Sequence, residues 1–491
     1  MQNSSSLLNK NPIKVLRSTK SYSMFRIFIS LLILAFSGSF VAQTTVSGGI
    51  YQNTTWSAAG SPYLMTGSMV IFPGVTLTIE PGVEVRVTPD YSFNTGNLRY
   101  LEVRGTLVAM GTDTAPITFK TTDASILGQQ TWYGINIKGS QGGNVQMDRF
   151  RLHDSFYGIA NDIAQPGVSY NWTNCQFKNN NYCVQLNADM TYTGCLFENN
   201  GVGQAAQILY GSLTAENCQF LNNFCSFTWS NNISVNNCLF EGNGNNIVGS
   251  PGTVSNCQFI DNDFGFAEAY GHTIQNCYFE GNGVAIDNTG GANISNSTFD
   301  SNDVAVRLGD NSTLTNNIIT NNSVGVAVLA YSPNSTLIEN NTICYNTSYN
   351  LQNLTDKNFQ VNANCFCSQD SSYIENLILD GYDDITRGLV NYAIYDDSCA
   401  NVLDYVVKIN LDGGVGIATL QPNAWRLKGQ DANTLYIESS QVLRIEFLNS
   451  IGQVQKEMTL QKGENKISTN NLPSGLYFLK NEFGHSQKVL L

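Results

Sequence analysis

Residues 174–180 read Asn-Cys-Gln-Phe-Lys-Asn-Asn, and close copies of this phrase return eight more times up to residue 346. The copy at 217–223 reads Asn-Cys-Gln-Phe-Leu-Asn-Asn, and the copy at 276–282 reads Asn-Cys-Tyr-Phe-Glu-Gly-Asn. Successive copies lie 19 to 24 residues apart, and most lie 20 apart. A fixed period near 20 residues indicates a solenoid, in which each repeat forms one turn of a stacked coil. The second positions of the nine copies are Cys175, Cys195, Cys218, Cys238, Cys257, Cys277, Ser297, Asn317 and Asn341.

The length of the repeat predicts strands. Helical repeats need about 33–47 residues, and the fixed leucine offsets of leucine-rich repeats are absent from this chain. Apolar residues alternate with polar ones over short runs, as in the pairs Val284 and Ile286 or Val304 and Val306. The predicted fold class is therefore all-β, with about 20 residues in each turn of a parallel coil.

Stacking of such turns converts the phrase into columns, because neighbouring parallel strands lie about 4.8 Å apart. The Cys and Phe positions are two residues apart, so both side chains point into the coil. The last residue of all nine phrases is Asn. Asn tolerates the left-handed backbone of a sharp turn, and stacked amides hydrogen-bond from turn to turn, so this column is predicted to be structural.

Charge excludes one class of function. The 491-residue chain has a formal net charge of −13, and Lys178 and Arg307 are the only basic residues between 171 and 356. Nucleic-acid binding requires a basic surface, so no nucleic-acid partner is expected.

The N-terminus resembles an export signal. Five basic residues precede the apolar run 27–36, and small residues and Val-Ala-Gln follow it. The apolar run is short for a bilayer span, so residues 1–43 are predicted to be a cleaved signal peptide with a possible start at Met24. No transmembrane segment is expected in the mature chain.

Nine of the twelve cysteines fall into two groups. Ser297 and Asn317 occupy the same column as the repeat cysteines, so that column is expected to hold reduced thiols packed as small apolar groups. Cys365, Cys367 and Cys399 lie beyond the repeats and are better disulfide candidates. One pair among them is expected, with Cys367–Cys399 favoured.

The region before the phrases contains two alternating strands, each entered by Pro-Gly, at 71–87, and further strands at 101–108 and 116–119. These segments resemble the opening turns of secreted right-handed parallel β-helix proteins of the pectate-lyase-like superfamily. The resemblance covers 44–367 and implies that fold. It leaves activity open, because lyases, hydrolases, epimerases and adhesins share the fold.

Residues 368–404 interrupt the repeat. The pattern from Ser372 to Glu375 is that of a capping box and predicts a short helix. A solenoid needs a cover over its last turn, since an open end exposes core and sheet edge, so this segment is predicted to be a helical cap and linker.

Residues 405–491 contain short strands separated by turn signals, which predicts a small C-terminal β-sandwich. The part from 430 to 491 resembles the C-terminal sorting domain of type 9 secretion cargo of Bacteroidetes, although the usual Tyr-Pro-Asn-Pro opening is missing. The resemblance implies that the outer-membrane secretion machinery is a partner and that the protein reaches the cell surface or the medium. The matching residues include Gly452, Leu472, Pro473, Gly475, Tyr477 and Lys488.

Candidate catalytic residues are few. Asp287 and Arg307 fall on adjacent turns and form either a catalytic pair or an exposed ion pair. His153 and His272 are too far apart to share a zinc ion, so a His-based zinc site is not expected. No cofactor is expected, except that Ca²⁺ binding is possible at turn carboxylates whose other interpretation is simple solvation. The Ca²⁺ candidates are Asp261, Asp263, Asp383 and Asp384.

Aromatic residues suggest a binding site. One aromatic side chain follows the Cys position by 11 to 15 residues in each of four turns. An exposed row of such rings would form a platform for sugars, and an inward row would be core. The four residues are Tyr210, Trp229, Tyr270 and Tyr331.

The leading functional hypothesis is an adhesin-like protein that binds a polysaccharide or a surface partner without catalysis. The first alternative is a polysaccharide lyase, hydrolase or epimerase. The second is an accessory component of the secretion or gliding machinery. Three or more converging carboxylates would favour the enzyme, and a flat Asn, Thr and Tyr face would favour binding.

Overall fold

The computed structural model describes most of the chain from residue 43 onward. Residues 1–42 of the predicted signal lie outside the described part, and so do residues 400–424, which include the end of the predicted linker and the start of the predicted β-sandwich. The described residues are 43–89, 98–123, 131–163, 168–201, 206–208, 211–228, 230–248, 251–330, 332–395, 399, 425–431, 434–439, 442–449, 453–473, 476–481 and 486–490.

Each complete turn of the coil contributes three parallel strands. One strand joins a 15-stranded sheet, and the other two join a 27-stranded sheet on either side of the Asn corner. This arrangement confirms the predicted parallel β-solenoid. The entry turns contain β1 (Thr44–Ile50), β2 (Thr54–Trp56), β3 (Tyr63–Ile71), β4 (Thr76–Ile79), β5 (Glu84–Val87), β6 (Tyr100–Val103), β7 (Thr106–Met110), β8 (Ile117–Thr121), β9 (Gly134–Ile137), β10 (Asn144–Asp148), β11 (Phe150–His153) and β12 (Ile159–Asn161).

The repeated phrases each supply the middle strand of a turn. Short 3-10 helices occur at Ala58–Gly60, Gly139–Gln141 and Pro333–Ser335. The strands of the repeats are β13 (Ser169–Thr173), β14 (Gln176–Lys178), β15 (Val184–Leu186), β16 (Asp189–Thr193), β17 (Leu196–Glu198), β18 (Ala206–Ile208), β19 (Ser212–Glu216), β20 (Gln219–Leu221), β21 (Cys225–Thr228), β22 (Asn232–Asn236), β23 (Leu239–Glu241), β24 (Asn245–Val248), β25 (Gly252–Ser255), β26 (Gln258–Ile260), β27 (Phe264–Ala267), β28 (Thr273–Gln275), β29 (Tyr278–Glu280), β30 (Val284–Thr289), β31 (Asn293–Ser295), β32 (Thr298–Asp300), β33 (Val304–Leu308), β34 (Thr313–Thr315), β35 (Ile318–Thr320), β36 (Val324–Val328), β37 (Leu337–Glu339), β38 (Thr342–Cys344), β39 (Tyr349–Asn353) and β40 (Phe359–Asn364).

The Asn column forms a buried hydrogen-bond ladder, as predicted. Asn262 Nδ2 donates to Asn282 Oδ1 at 2.9 Å and to the Phe240 carbonyl at 3.0 Å, while its own Oδ1 accepts from the Asn243 backbone N–H at 2.9 Å. The left-handed backbone, however, belongs to the residue before this Asn, such as Asn222 or Ser301. The buried amide therefore satisfies backbone groups at the corner, and its predecessor makes the turn.

The Phe column stacks along the coil axis. Phe240 and Phe259 have ring centroids 4.7 Å apart at 1°, and Phe279 and Phe299 repeat this geometry. The neighbouring column continues from thiols into Ser297, whose backbone N–H donates to Asn317 Oδ1 at 2.9 Å. All six thiols of this column are reduced and buried, as predicted. Each position thus needs a small group that fits the interior and accepts a backbone hydrogen bond.

The end of the coil is closed by a short helix and two further strands. Helix α1 (Ser371–Glu375) is present where a helix was predicted, but Asp370 is its N-cap and accepts from the Ser372 N–H at 2.9 Å. Strands β41 (Ile378–Leu379) and β42 (Val390–Tyr395) pair with β39 and β40. The predicted cap segment therefore also extends both sheets.

The disulfide pairing differs from the prediction. The bonds are Cys344–Cys367 and Cys365–Cys399, and the Sγ atoms of Cys367 and Cys399 lie 3.6 Å apart without a bond. The sequence places Cys344 in a repeat phrase, where it resembles a ladder residue. In the structure it pairs with Thr320, three residues after Asn341, which occupies the thiol-column position of this phrase. Its thiol is therefore placed to form the disulfide with Cys367.

The C-terminal domain consists of two antiparallel sheets over one apolar core, as predicted. Tyr477 lies in that core, and its hydroxyl donates to the Pro473 carbonyl at 3.0 Å. Leu472 packs against the same core. Lys488 lies in the last strand, while Gly452 and Gly475 are outside the described residues. The strands are β43 (Trp425–Asp431), β44 (Thr434–Ser439), β45 (Leu443–Asn449), β46 (Val454–Leu460), β47 (Gly463–Ser468), β48 (Leu476–Asn481) and β49 (Ser486–Leu490).

Candidate ligand-binding face

The outer surface of the 15-stranded sheet includes two neighbouring side-chain columns over eight consecutive turns, and we call these two columns the hydroxyl face. Between the two columns, alternate residues such as Trp172, Val235 and Leu314 point inward and are buried. The first column is Asn171, Thr191, Thr214, Ser234, Thr253, Thr273, Asn293 and Thr313. The second column is Thr173, Thr193, Glu216, Asn236, Ser255, Gln275, Ser295 and Thr315.

Most of these side chains are available to a ligand. Thr313 Oγ1 donates to Asn293 Oδ1 at 2.8 Å, and Ser255 Oγ donates to Asn236 Oδ1 at 3.1 Å. The other eleven uncharged side chains of the hydroxyl face form no side-chain hydrogen bond with the described part of the chain. Hydroxyl and amide groups both donate and accept, so the face has free capacity for an uncharged hydrogen-bonding partner.

A different column consists of the last residue of the middle strand in each of the same eight turns, and we call it the charged column. Its lysine pairs with the next residue in the column, since Lys178 Nζ lies 2.7 Å from Glu198 Oε1. Leu221 and Ile260 interrupt the charges, as the sequence indicated. The column consists of Lys178, Glu198, Leu221, Glu241, Ile260, Glu280, Asp300 and Thr320.

His153 lies one turn before this column, in register with Lys178. Burial lowers the pKa of His153, and the nearby positive charges of Arg151 and Lys178 lower it further. The carboxylate of Asp154 acts in the opposite direction. The imidazole is therefore held towards its neutral form.

The candidate catalytic pair is an ion pair. Arg307 Nη1 lies 3.2 Å from Asp287 Oδ1, and the two side chains are 35% and 23% exposed. Within the described ranges, no three carboxylate or imidazole groups lie close enough together to share one ion. Asp287 and Arg307 are thus not part of a cluster of three or more carboxylates, which is the arrangement that would favour an enzyme.

The calcium candidates are engaged in turns or isolated. Asp384 Oδ1 accepts from the Thr386 N–H at 3.0 Å, and Asp383 Oδ2 accepts from the Asp380 N–H at 3.3 Å. Hydrogen bonds from Thr386 lower the pKa of Asp384. Asp261 adopts a left-handed corner conformation, and neither it nor Asp263 belongs to a cluster of metal-ligand groups in the described structure. Calcium binding at these residues stays a prediction.

The predicted aromatic platform rests on one described residue. Tyr270 is 47% exposed, and a Cβ built on Gly290 of the next turn would lie 2.9 Å from its ring. Gly290 therefore leaves room for the ring to lie over the neighbouring turn. Tyr210, Trp229 and Tyr331 lie outside the described residues, so the platform stays a prediction.

A different set of rings does stack, in the entry turns. Tyr133 and Tyr157 have centroids 4.6 Å apart, and Tyr157 stacks on Tyr182 at 5.4 Å. Burial raises the pKa of Tyr133. The ring faces are largely occupied by one another, so this stack stabilises the corner and offers mainly its edges to solvent. Sequence reasoning missed it because the rings precede the third strand of each turn, where no phrase repeats.

The hydroxyl face was also missed, although the sequence contains a signal for it. Its two residues stand three and one positions before each phrase, as in Thr191 and Thr193 before the copy at 194. The irregular spacing between phrases hides this alignment unless positions are counted backwards from each phrase.

Comparison with known proteins finds one family match within the coil and one within the C-terminal domain. The family model described as right handed beta helix region matches residues 163–304. The model described as secretion system C-terminal sorting domain matches residues 431–490. No curated protein sequence matches the chain. No helix of the described residues has the length and apolar character needed to cross a bilayer.

Three solved structures match the chain at low similarity. ORF18 of Geobacillus virus E2 has 11% identity and a TM-score of 0.23, with 97% of this chain and 81% of that chain covered. A periplasmic alginate epimerase has 9% identity and a TM-score of 0.20, with 68% and 76% covered. Tailspike protein 2 of Escherichia coli O157:H7 bacteriophage CAB120 has 12% identity and a TM-score of 0.19, with 91% and 64% covered.

The two family matches agree with the two folded regions of the structure. The coil carries the repeated phrases, and the tail carries the antiparallel sheets. The sorting domain indicates export through type 9 secretion, to the cell surface or into the medium. The chain is a right-handed parallel β-helix protein with a type 9 secretion sorting domain at its C-terminus.

Proposed function

We propose that the protein is a non-catalytic, adhesin-like protein that binds a neutral polysaccharide through the hydroxyl face. One observation carries this proposal: fifteen of the sixteen outward positions are Ser, Thr, Asn or Gln, and Glu216 is the exception. Sugars present both donors and acceptors, so they can pair with such side chains without any charge.

Electrostatics favours a neutral ligand over an acidic one. The chain carries a net charge of −13, and the single charge on the hydroxyl face is a carboxylate. An acidic polymer would be repelled by this surface, whereas a neutral polymer pays no such cost. Each net hydrogen bond contributes about 0.5–1.5 kcal/mol, so useful affinity requires many of the eight turns to be engaged together.

Retention on immobilised polysaccharides tests the proposal. The purified chain is passed over neutral and acidic polymers, and we expect retention on at least one neutral polymer. The double variant T214R/T253R places two long cations on the hydroxyl face and should lose retention at least tenfold. The variant E241R makes the same change in net charge on the charged column and serves as the matched control.

The enzyme alternative is tested on the same samples. Unsaturated or reducing ends are measured after incubation of each polymer with the chain, and none is expected. Released ends that disappear in the variant D287N would show that the ion pair with Arg307 is catalytic and would overturn the binding-only function.

A further inference from the structure

We infer that the hydroxyl face binds the flat surface of an ordered, insoluble polysaccharide rather than an isolated soluble chain. This inference rests on the proposed function and narrows its ligand. It follows from the shape and rigidity of the face, which are independent of its hydrogen-bonding chemistry.

The face is a regular two-dimensional array. Residues of one column in successive turns are about 4.8 Å apart, and the two columns, being two residues apart on each strand, are separated by about 6.6 Å. Eight turns therefore extend over about 34 Å at that spacing. From the strand Ser169–Thr173 to the strand Thr313–Thr315, each strand pairs with the next without a shift in register.

Short side chains of similar length keep the array level, and branched ones make it stiff. Ser, Thr and Asn are short, and eight of its sixteen side chains are Thr, whose branched Cβ restricts χ1. Buried residues such as Tyr192 and Ile274 support each strand from the inside. No long side chain other than those of Glu216 and Gln275 rises from the two columns.

A flat surface of this kind contacts only one side of a soluble chain. Such a chain keeps its other side hydrated and loses conformational freedom when it is held along the coil. Chains in an ordered solid are already immobilised and present a second flat array. Both columns can then contact the solid at once, and the bound chains lose little further conformational freedom. The face is therefore expected to bind the solid more tightly than a soluble chain.

The test compares two physical forms of the same polymer. The purified full chain is depleted from solution by crystalline cellulose or crystalline chitin, and soluble oligosaccharides of the same sugar are added as competitors. We expect depletion by a crystalline form and at least tenfold weaker competition by soluble chains at equal sugar concentration. Equal competition would overturn the inference while leaving the proposed function intact.

A variant with a raised centre tests flatness directly. S234Y puts one ring in the middle of the first column, and we expect at least tenfold weaker binding to the crystalline form. L221Y is the matched control, because Leu221 lies in the charged column on the 27-stranded sheet, away from both columns of the hydroxyl face. We expect its binding to stay within twofold of the native chain, with both variants checked for native circular dichroism and melting temperature.

The remaining outcomes are also decisive. Unchanged crystalline binding in S234Y would overturn the inference, since a flat contact cannot tolerate the ring. If no polysaccharide binds in either form, the proposed function fails and the inference fails with it. A further arm measures ice-crystal shaping near 0 °C, and shaping of ice without polymer binding would reassign the face to ordered water.

Discussion

The hydroxyl face and the charged column belong to the same eight turns, yet they differ completely in chemistry. One position of sixteen is charged on the hydroxyl face, whereas five of eight are charged in the charged column. The charged column also contains the apolar residues Leu221 and Ile260. Outward direction on a parallel strand therefore does not by itself select hydroxyl groups.

The contrast separates what the coil needs from what a ligand needs. The mixture in the charged column shows that the fold accepts charged, hydroxyl and apolar groups at these positions. The uniformity of the hydroxyl face is consequently a property added to the fold. We interpret it as the requirement of a repeating partner.

The largest expected effect lies in the corner that holds both surfaces in register. Asn262→Leu removes an amide that donates to Asn282 Oδ1 and to the Phe240 carbonyl, leaving buried groups unsatisfied. We expect a loss of about 3–5 kcal/mol in unfolding free energy, measured by urea denaturation. Asn293→Leu, on the hydroxyl face, is the control and should cost under about 0.5 kcal/mol. Equal losses would mean that the buried ladder is not what distinguishes the interior from the outer surfaces.

The second prediction completes the uniformity of the hydroxyl face. Glu216→Thr replaces its one charge with the side chain most frequent there, and we expect binding to the neutral polymer to tighten about threefold, or roughly 0.7 kcal/mol. Binding isotherms on the insoluble polymer measure this change. Glu241→Thr makes the same replacement in the charged column and should leave affinity unchanged. A gain in both variants would assign the effect to net charge and remove the distinction between the two surfaces.

The third prediction concerns pH at the start of the charged column. Burial lowers the pKa of His153, so the folded chain binds fewer protons there than the unfolded chain. The stability from the neutral ring is complete above the unfolded pKa of about 6.5 and is lost as pH falls through the lower folded pKa. When the pH is lowered from 7.5 to 5, the unfolding midpoint should therefore fall further for the native chain than for the His153→Gln variant. An identical pH dependence in both would contradict an imidazole that the fold holds in its neutral form.

The smallest expected effect is the loss of one surface ion pair. Lys178→Met removes the partner of Glu198, and both side chains are partly exposed, at 33% and 24%. We expect a change of about 0.5 kcal/mol in unfolding free energy, smaller still in 1 M salt. A loss above about 2 kcal/mol would show that the charged column contributes to the fold and not only to its surface.

The sequence predicted the interior better than the outside. The nine phrases contain their own register, so the inward Cys and Phe columns and the buried Asn ladder follow from counting. The left-handed residue was assigned one position too late, because Asn can serve either as the turn residue or as the hydrogen-bonding amide. Cys344 was not among the disulfide candidates because it lies inside a phrase, whereas in the structure it is bonded to Cys367.

The sequence by itself determined the solenoid, its period, the reduced thiol column and the C-terminal sorting domain. These features follow from local patterns, since strand alternation and turn residues act over a few positions. Only the tertiary structure decided which outward residues become neighbours, because turns of 19 to 24 residues align only when their strands pair. The hydroxyl face and the disulfides of the coil end both depend on that pairing. A surface made of one residue pair per turn exists only after the turns are stacked.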